Sequence, residues 1–247
     1  RLRCVTGVQT CALPIWKSNF GAVIPLLADS FRVLCVSYDG FDETEQTEFS
    51  TMIEETQKIE AYLKTHCGGH IRAAYGCSLG GSFVGLLAAR RNIHMDYGIL
   101  GSSDLDQASP LAAKLQTDFL LPLIYPVVRD GKIKAKFLQK CLDKCAKESG
   151  DYVKAFLKMF GDARPYVTMQ SCKNQFYSDL ITPLLDKIHI PGTEIHIFYA
   201  LKMGKKYRAR YQRHFAHPVL HEQNLQHEEL LACHPGQWAQ LVKSIAL

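Results

Sequence analysis

Residues 71–89 read IRAAYGCSLGGSFVGLLAA, and the changes of character within this stretch decide how the rest of the chain is read. Ile71 to Tyr75 is a short apolar run of strand type, Gly76-Cys77-Ser78-Leu79-Gly80-Gly81 is a glycine-rich turn, and an apolar helix of small residues follows at once. In that context the pattern G-x-S-x-G, here Gly76 to Gly80, acquires chemical meaning. Glycine on both sides of the serine fits a strained turn whose neighbours pass too close for a Cβ. Ser78 then projects from the turn over a helix N-terminus. Its hydroxyl can attack a carbonyl carbon while the Leu79 N–H faces the oxygen that becomes negative. A turn that merely packs tightly is the plainer alternative, but the flanking strand and helix favour a nucleophile. Cys77 is expected to point into the core rather than to act as the nucleophile.

The elements on either side alternate. Phe20 to Ala28 (FGAVIPLLA) reads as a short helix and Phe31 to Tyr38 (FRVLCVSY) as a strand buried on both faces. Thr51 to Lys64 is amphipathic, with capping-box spacing between Thr51 and Glu54, and Gly68-Gly69 stops it. Beyond the serine turn, Tyr97 to Ser102 (YGILGS) is the next strand. Strand, helix, strand, helix, strand predicts a parallel sheet with crossover helices and a site at the carboxyl ends of the strands. Between Gln107 and about Ile188 the pattern is helical, at 112–128, 133–146 and 152–159. The strand pattern returns at Glu194 to Ala200 (EIHIFYA) and at Val219 to Glu222. A basic helix, Met203 to Phe215, lies between them, and Pro235 to Ala246 closes the chain as a helix.

On these residues the Gly76–Gly80 turn resembles the nucleophile elbow of the α/β-hydrolase family. The resemblance implies a three-layer αβα fold with a mostly parallel sheet and a helical cap inserted at 107–188, whose apolar run Phe119 to Tyr125 could line an acyl pocket. It implies a serine hydrolase acting on a carboxylic ester or related acyl substrate through an acyl-enzyme on Ser78. The alternatives left open are acyl transfer to another acceptor and a non-catalytic binding protein of the same fold. In this family the order along the chain is serine, acid, histidine. His227, in the loop Asn224-Leu225-Gln226-His227 after the last strand, is the expected base, and Leu79 the expected oxyanion-hole donor. The usual acid position, after Glu194 to Ala200, holds no carboxylate. Some members take the acid from the preceding strand, which makes Asp104 the candidate with Asp106 behind it; either could instead cap the first cap helix.

The second oxyanion donor belongs to a loop after an early strand, expected just before Trp16, where nothing matches. Loss of one such donor costs on the order of a hundred- to a thousandfold in turnover. Val5 to Ile15 reads VTGVQTCALPI and resembles a translated frame of a sequencing adapter. Residues 1–15 are therefore expected to be artefactual, with the hydrolase domain at 16–247 and its first strands missing.

Composition sets the remaining bounds. With 247 residues, 47% of them hydrophobic, the chain can bury one sizeable core. A net charge of +5, its basic residues dispersed except near Lys202 to Arg213, does not call for nucleic acid. Nine cysteines without a framework of spacings, and no visible signal peptide, suggest reduced thiols and a cytoplasmic setting. No apolar run of transmembrane length is expected, and no cofactor or metal, since neither phosphate-loop nor zinc-ligand spacing occurs. A small acyl molecule is the expected partner.

Overall fold

Parallel pairing carries the architecture. The computed structural model describes residues 3–7, 19–130, 133–159 and 166–247. Six strands, Arg3–Gly7 (β1), Phe31–Cys35 (β2), His70–Cys77 (β3), His94–Gly101 (β4), Glu194–Ala200 (β5) and Val219–Gln223 (β6), form one sheet in the order β2-β1-β3-β4-β5-β6. All five pairings are parallel. Strands that pair in parallel cannot be joined by hairpins, so each connection crosses a face of the sheet, most of them through a helix. On one side pack Met52–Cys67 (α2) and Leu79–Arg90 (α3), with Met52, Ile59, Leu63, Phe83, Leu87 and later Tyr211 in a single apolar cluster. On the other pack the short helix Ile24–Leu27 (α1) and the closing helix Pro235–Ala246, around Phe20, Tyr75, Phe198 and Trp238. The period-two pattern of β5 divides its side chains between the two clusters: Ile195, Ile197 and Tyr199 on one face, Phe198 on the other. This is the expected three-layer αβα arrangement.

Local chemistry fixes the element ends. Thr51 caps α2, its Oγ1 accepting the Glu54 N–H at 3.1 Å, and Gly68 ends it at φ 65°. Glu60 of α2 grips Arg90 of α3 through two hydrogen bonds of 2.7 and 3.0 Å. Burial alone would raise that carboxyl, but the bonds from Arg90 and Asn92 outweigh it and hold it below its usual range.

Four helices lie between β4 and β5: Pro110–Asp130 (α4), Lys136–Glu148 (α5), Gly150–Met159 (α6) and Met169–Ile181 (α7). The sequence predicts only the first three. The fourth, MQSCKNQFYSDLI, lacks an apolar stripe because its buried face is largely polar, with Ser171, Gln175 and Ser178 beside Cys172 and Leu180. Tertiary hydrogen bonds make that burial possible. Ser171 Oγ accepts the Phe49 N–H at 3.3 Å, Ser178 Oγ accepts the Met52 N–H at 2.8 Å, and Asn174 Nδ2 donates to the Phe49 carbonyl at 2.7 Å. After the cap come Lys205–His214 (α8), Glu229–Cys233 (α9) and the closing helix (α10).

Two further expectations meet the structure differently. The backbone of Arg3–Gly7 occupies an interior sheet position between β2 and β3, whereas 8–15, the remainder of the adapter-like segment, lie outside the described residues. The expectation that nothing reaches transmembrane length needs correction: Pro110–Arg129, with a mean hydropathy of 1.2, is long and apolar enough to cross a membrane by length and composition. Counting uninterrupted apolar residues missed it because Lys114 and Asp118 break the run without ending the helix. Here it packs against α7.

Backbone meets backbone closely at the elbow. A Cβ on Gly76 would lie 2.0 Å from the carbonyl oxygen of Gly80, a backbone atom that cannot move aside, while one on Gly236 would meet nothing within 4 Å. Gly76→Ala is expected to destabilise the chain by about 3 kcal/mol in urea unfolding, with Gly236→Ala near neutral.

Candidate active site

The same crowding shapes Ser78. It stands as the N-cap of α3 with φ 50° and ψ −120°, a left-handed conformation that costs a non-glycine residue of order 1–3 kcal/mol. Its N–H donates to the Gly101 carbonyl at 2.8 Å and its own carbonyl accepts from Gly81 at 3.0 Å, so the elbow is held from both ends. The hydroxyl makes no capping bond to the helix. Leu79 is the first residue of α3, where N–H groups have no acceptor within the helix and the dipole favours negative charge. Cys77 is fully buried among Tyr75, Phe198 and Trp238, as expected.

Strain recurs nearby. Of six non-glycine residues with positive φ among those described, Ser78, Ser102, Leu105 and Glu228 share this neighbourhood. Ser102 follows β4, donates its N–H to the Phe198 carbonyl at 3.1 Å, and accepts the Glu228 N–H on its Oγ at 3.2 Å. The segment that follows is fastened by α8: the Tyr211 hydroxyl donates to the Ser103 carbonyl, and Arg210 donates to the Asp104 carbonyl at 2.8 Å while pairing with the Asp106 carboxylate. Neither aspartate caps α4; Ser109 does, accepting the Ala112 N–H at 3.4 Å.

A cavity of about 170 Å³ opens beside Ser78, with Ser78, Leu79, Asp104 and Asp106 on one side. The cap closes the other, Leu120 coming from α4 and Phe176 and Leu180 from α7. Of the apolar run at 119–125, only Leu120 reaches the cavity. Phe119 faces solvent at 68% exposure and Leu121 is buried elsewhere in the core.

The three expected catalytic residues are gathered unequally. Ser78 and Asp104 share the cavity wall, and the Asp104 carboxyl is raised by burial and by Asp106, with Arg210 opposing. His227 lies after β6 in the loop that precedes α9, partly buried, and loss of water pushes its imidazole down to about 4. Among the described residues no hydrogen bond joins the Ser78 hydroxyl, the His227 ring and the Asp104 carboxylate. The loop after β1, the position from which a second oxyanion donor would come, falls at 8–18, outside the described residues.

Glu228 is the residue that sequence reasoning passed over. Only 2% exposed, it turns under the elbow at φ 61°, and its carboxylate accepts from the Cys77 thiol and the Ser78 backbone. Burial pushes it up to about 8 against those bonds, with Asp104 adding to the rise. Nothing beyond its place next to His227 signals this role in the sequence. Asp179, which also lines the cavity, was invisible because the sequence pattern does not reveal its helix, α7. A separate group, His70, His94 and Asp96, converges at the amino ends of β3 and β4, with His70 Nε2 2.7 Å from Asp96 Oδ1.

No family model matches the sequence, and no curated protein does. Solved structures match along nearly its whole length. An alpha/beta hydrolase family protein from Desulfitobacterium hafniense superposes with a TM-score of 0.78 at 16% identity, covering 99% of this chain and 96% of that one. The enol-lactonase from Burkholderia xenovorans gives 0.69 at 15%, covering 99% and 91%. A thermophilic esterase from Thermogutta terrifontis gives 0.69 at 18%, covering 98% and 88%. At these identities the likeness is one of fold: the chain has the α/β-hydrolase fold.

Glu228 also links the site to stability. Folded, its carboxyl keeps its proton up to about pH 8, whereas the unfolded chain releases it near 4.5. The folded state therefore binds more protons between these values, and this residue's contribution lowers stability as pH rises through that window. His227 acts oppositely, its contribution being lost as pH falls from 6.5 toward 4, so the useful measure is the difference between variant and wild type. Thermal unfolding should show Glu228→Gln gaining on wild type from about pH 4.5 and levelling off near 8, by a few kcal/mol at most.

Proposed function

We propose that the chain is a serine hydrolase that cleaves a carboxylic ester or related acyl substrate, with Ser78 as nucleophile. The observation that carries this reading is the strained Ser78 backbone, at φ 50°, at a strand-to-helix elbow that forms part of a cavity wall. Strain maintained at one cavity-lining serine over a helix N-terminus is what nucleophilic attack on a carbonyl calls for.

In the proposed mechanism the Ser78 hydroxyl adds to the acyl carbon and its proton passes to neutral His227. The tetrahedral oxyanion is met by the Leu79 N–H, and collapse expels the alcohol with a proton returned from His227. Water then repeats the addition on the acyl-enzyme and releases the acid. Asp104, in its ionised form, would orient the imidazole and stabilise its cation. A low basicity keeps His227 neutral, and so able to take a proton, throughout the neutral range. Transfer to an acceptor other than water is a variant of the same chemistry.

The lack of any bond linking Ser78, His227 and Asp104 favours a second reading, a non-catalytic binding protein on this fold. Labelling by a fluorophosphonate probe separates the two. Under the hydrolase reading wild type labels and Ser78→Ala does not; equal labelling of both would end it. Asp104→Asn should lower ester turnover by roughly a thousandfold or more, and a variant that keeps full turnover removes Asp104 from the mechanism.

A further inference from the structure

The cap side of the cavity is built for a polar guest. Gln175 of α7 is 1% exposed and Thr117 of α4 is 2% exposed, and both line the space beside Ser78. Among the described residues, neither amide atom of Gln175, nor the hydroxyl of Thr117, has a hydrogen-bond partner. Each such atom left unsatisfied costs about 1–3 kcal/mol, and a hydrocarbon tail would leave all three so.

The charge lining the same cavity is one-sided. Asp104, Asp106 and Asp179 contribute to its wall, and among the described residues no lysine, arginine or histidine does. Arg210, which is not among the lining residues, pairs with the Asp106 carboxylate and donates to the Asp104 backbone carbonyl. Among the described residues, Asp179 has only the Ser82 hydroxyl as a side-chain partner. Burial, followed by the nearby Asp104, drives the Asp179 carboxyl well above its ordinary range, as expected of an acid crowded by others without a cation beside it.

We infer that this cavity is a subsite for a primary ammonium group carried on a short chain of the substrate, bound among Asp179 and Gln175 of α7 and Thr117 of α4. An ammonium has three donors and no acceptor. The Asp179 carboxylate, Gln175 Oε1 and Thr117 Oγ1 are acceptors on the wall, and the Gln175 amide N–H groups remain for a carbonyl of the same ligand. The positive charge supplies the counter-ion that Asp179, unlike the Arg210-paired Asp106, lacks among the described residues. The inference rests on the hydrolase reading only in naming the bound molecule as an ester; the subsite itself does not need Ser78 to react.

The test therefore has two arms. In the first, pentylammonium and its neutral counterpart pentanol are titrated into the Ser78→Ala protein and followed by ligand-observed NMR. Pentylammonium is expected to bind at least tenfold more tightly. Asp179→Asn and Gln175→Leu, each in that background and each checked for an unchanged melting transition, should bring the ratio close to one. Equal binding of the two ligands, a preference for pentanol, or a preference that survives both substitutions overturns the inference. In the second, wild type is assayed on nitrophenyl esters of aminohexanoate and heptanoate, and the amino ester should have the higher kcat/KM by a similar factor. Failure of the first arm with fluorophosphonate labelling intact removes the subsite alone. Loss of labelling with the first arm intact removes the hydrolase reading alone.

Discussion

The contact on which the structure turns is between two stretches of backbone, the end of β3 at Gly76 and the first turn of α3 at Gly80. They are so close that a Cβ would lie 2.0 Å from a carbonyl oxygen. A strand and a helix can meet this tightly only where one of them lacks a side chain, and the chain must then reverse within a residue or two. That reversal puts Ser78 at φ 50°, sends Cys77 into the core and leaves Leu79 at the helix start. Gly81 extends the constraint to the next strand, since a Cβ there would run into Ser103 Oγ at 1.6 Å. The ends of β3 and β4 are locked together through a helix terminus, and the strain at Ser102, Leu105 and Glu228 lies where these elements converge.

This contact was legible in the sequence because it depends on local chemistry. Gly76, Ser78 and Gly80 at fixed spacing between a strand pattern and a helix pattern allow few alternatives, and the alternation around them specifies a parallel sheet. Helix α7 was not legible, since Ser171, Gln175 and Ser178 sit on its buried face, and Ser171 and Ser178 are bonded there by the N–H groups of Phe49 and Met52, more than a hundred residues away. Position along the chain also identified His227 and Asp104 without saying how their side chains turn. Asp104 faces the cavity, Arg210 binds its carbonyl, and the carboxylate beneath the elbow belongs to Glu228. Side-chain direction is set by packing across elements, to which spacing within one element is blind.

Electrostatically, the site is a set of buried ionisable groups biased toward neutrality. Glu228, Asp104 and Asp179 are all raised, and His227 is lowered to about 4. Burial is the leading cause in each case, because removing a charge from water costs more than the few nearby dipoles return. Neutrality lets several carboxyls share the space beside one serine. It also limits what they can do, since an acid that keeps its proton cannot stabilise an imidazolium.

The coupling among the acids bears directly on that limit. Asp104 raises both Asp179 and Glu228, so a positive charge placed beside Asp179 acts on more than the acid it touches. On the proposed reading, an ammonium in the cavity favours ionised Asp179 and opposes the burial and the neighbouring carboxyl that raise Asp104. The charge that His227 acquires in proton transfer is then better stabilised when the subsite is filled. A neutral ester of the same length would reach Ser78 without producing that change, and its disadvantage would appear in kcat as well as in binding. The substrate preference and the state of the acid are in this sense one electrostatic problem, set by how few cations the fold places beside Ser78.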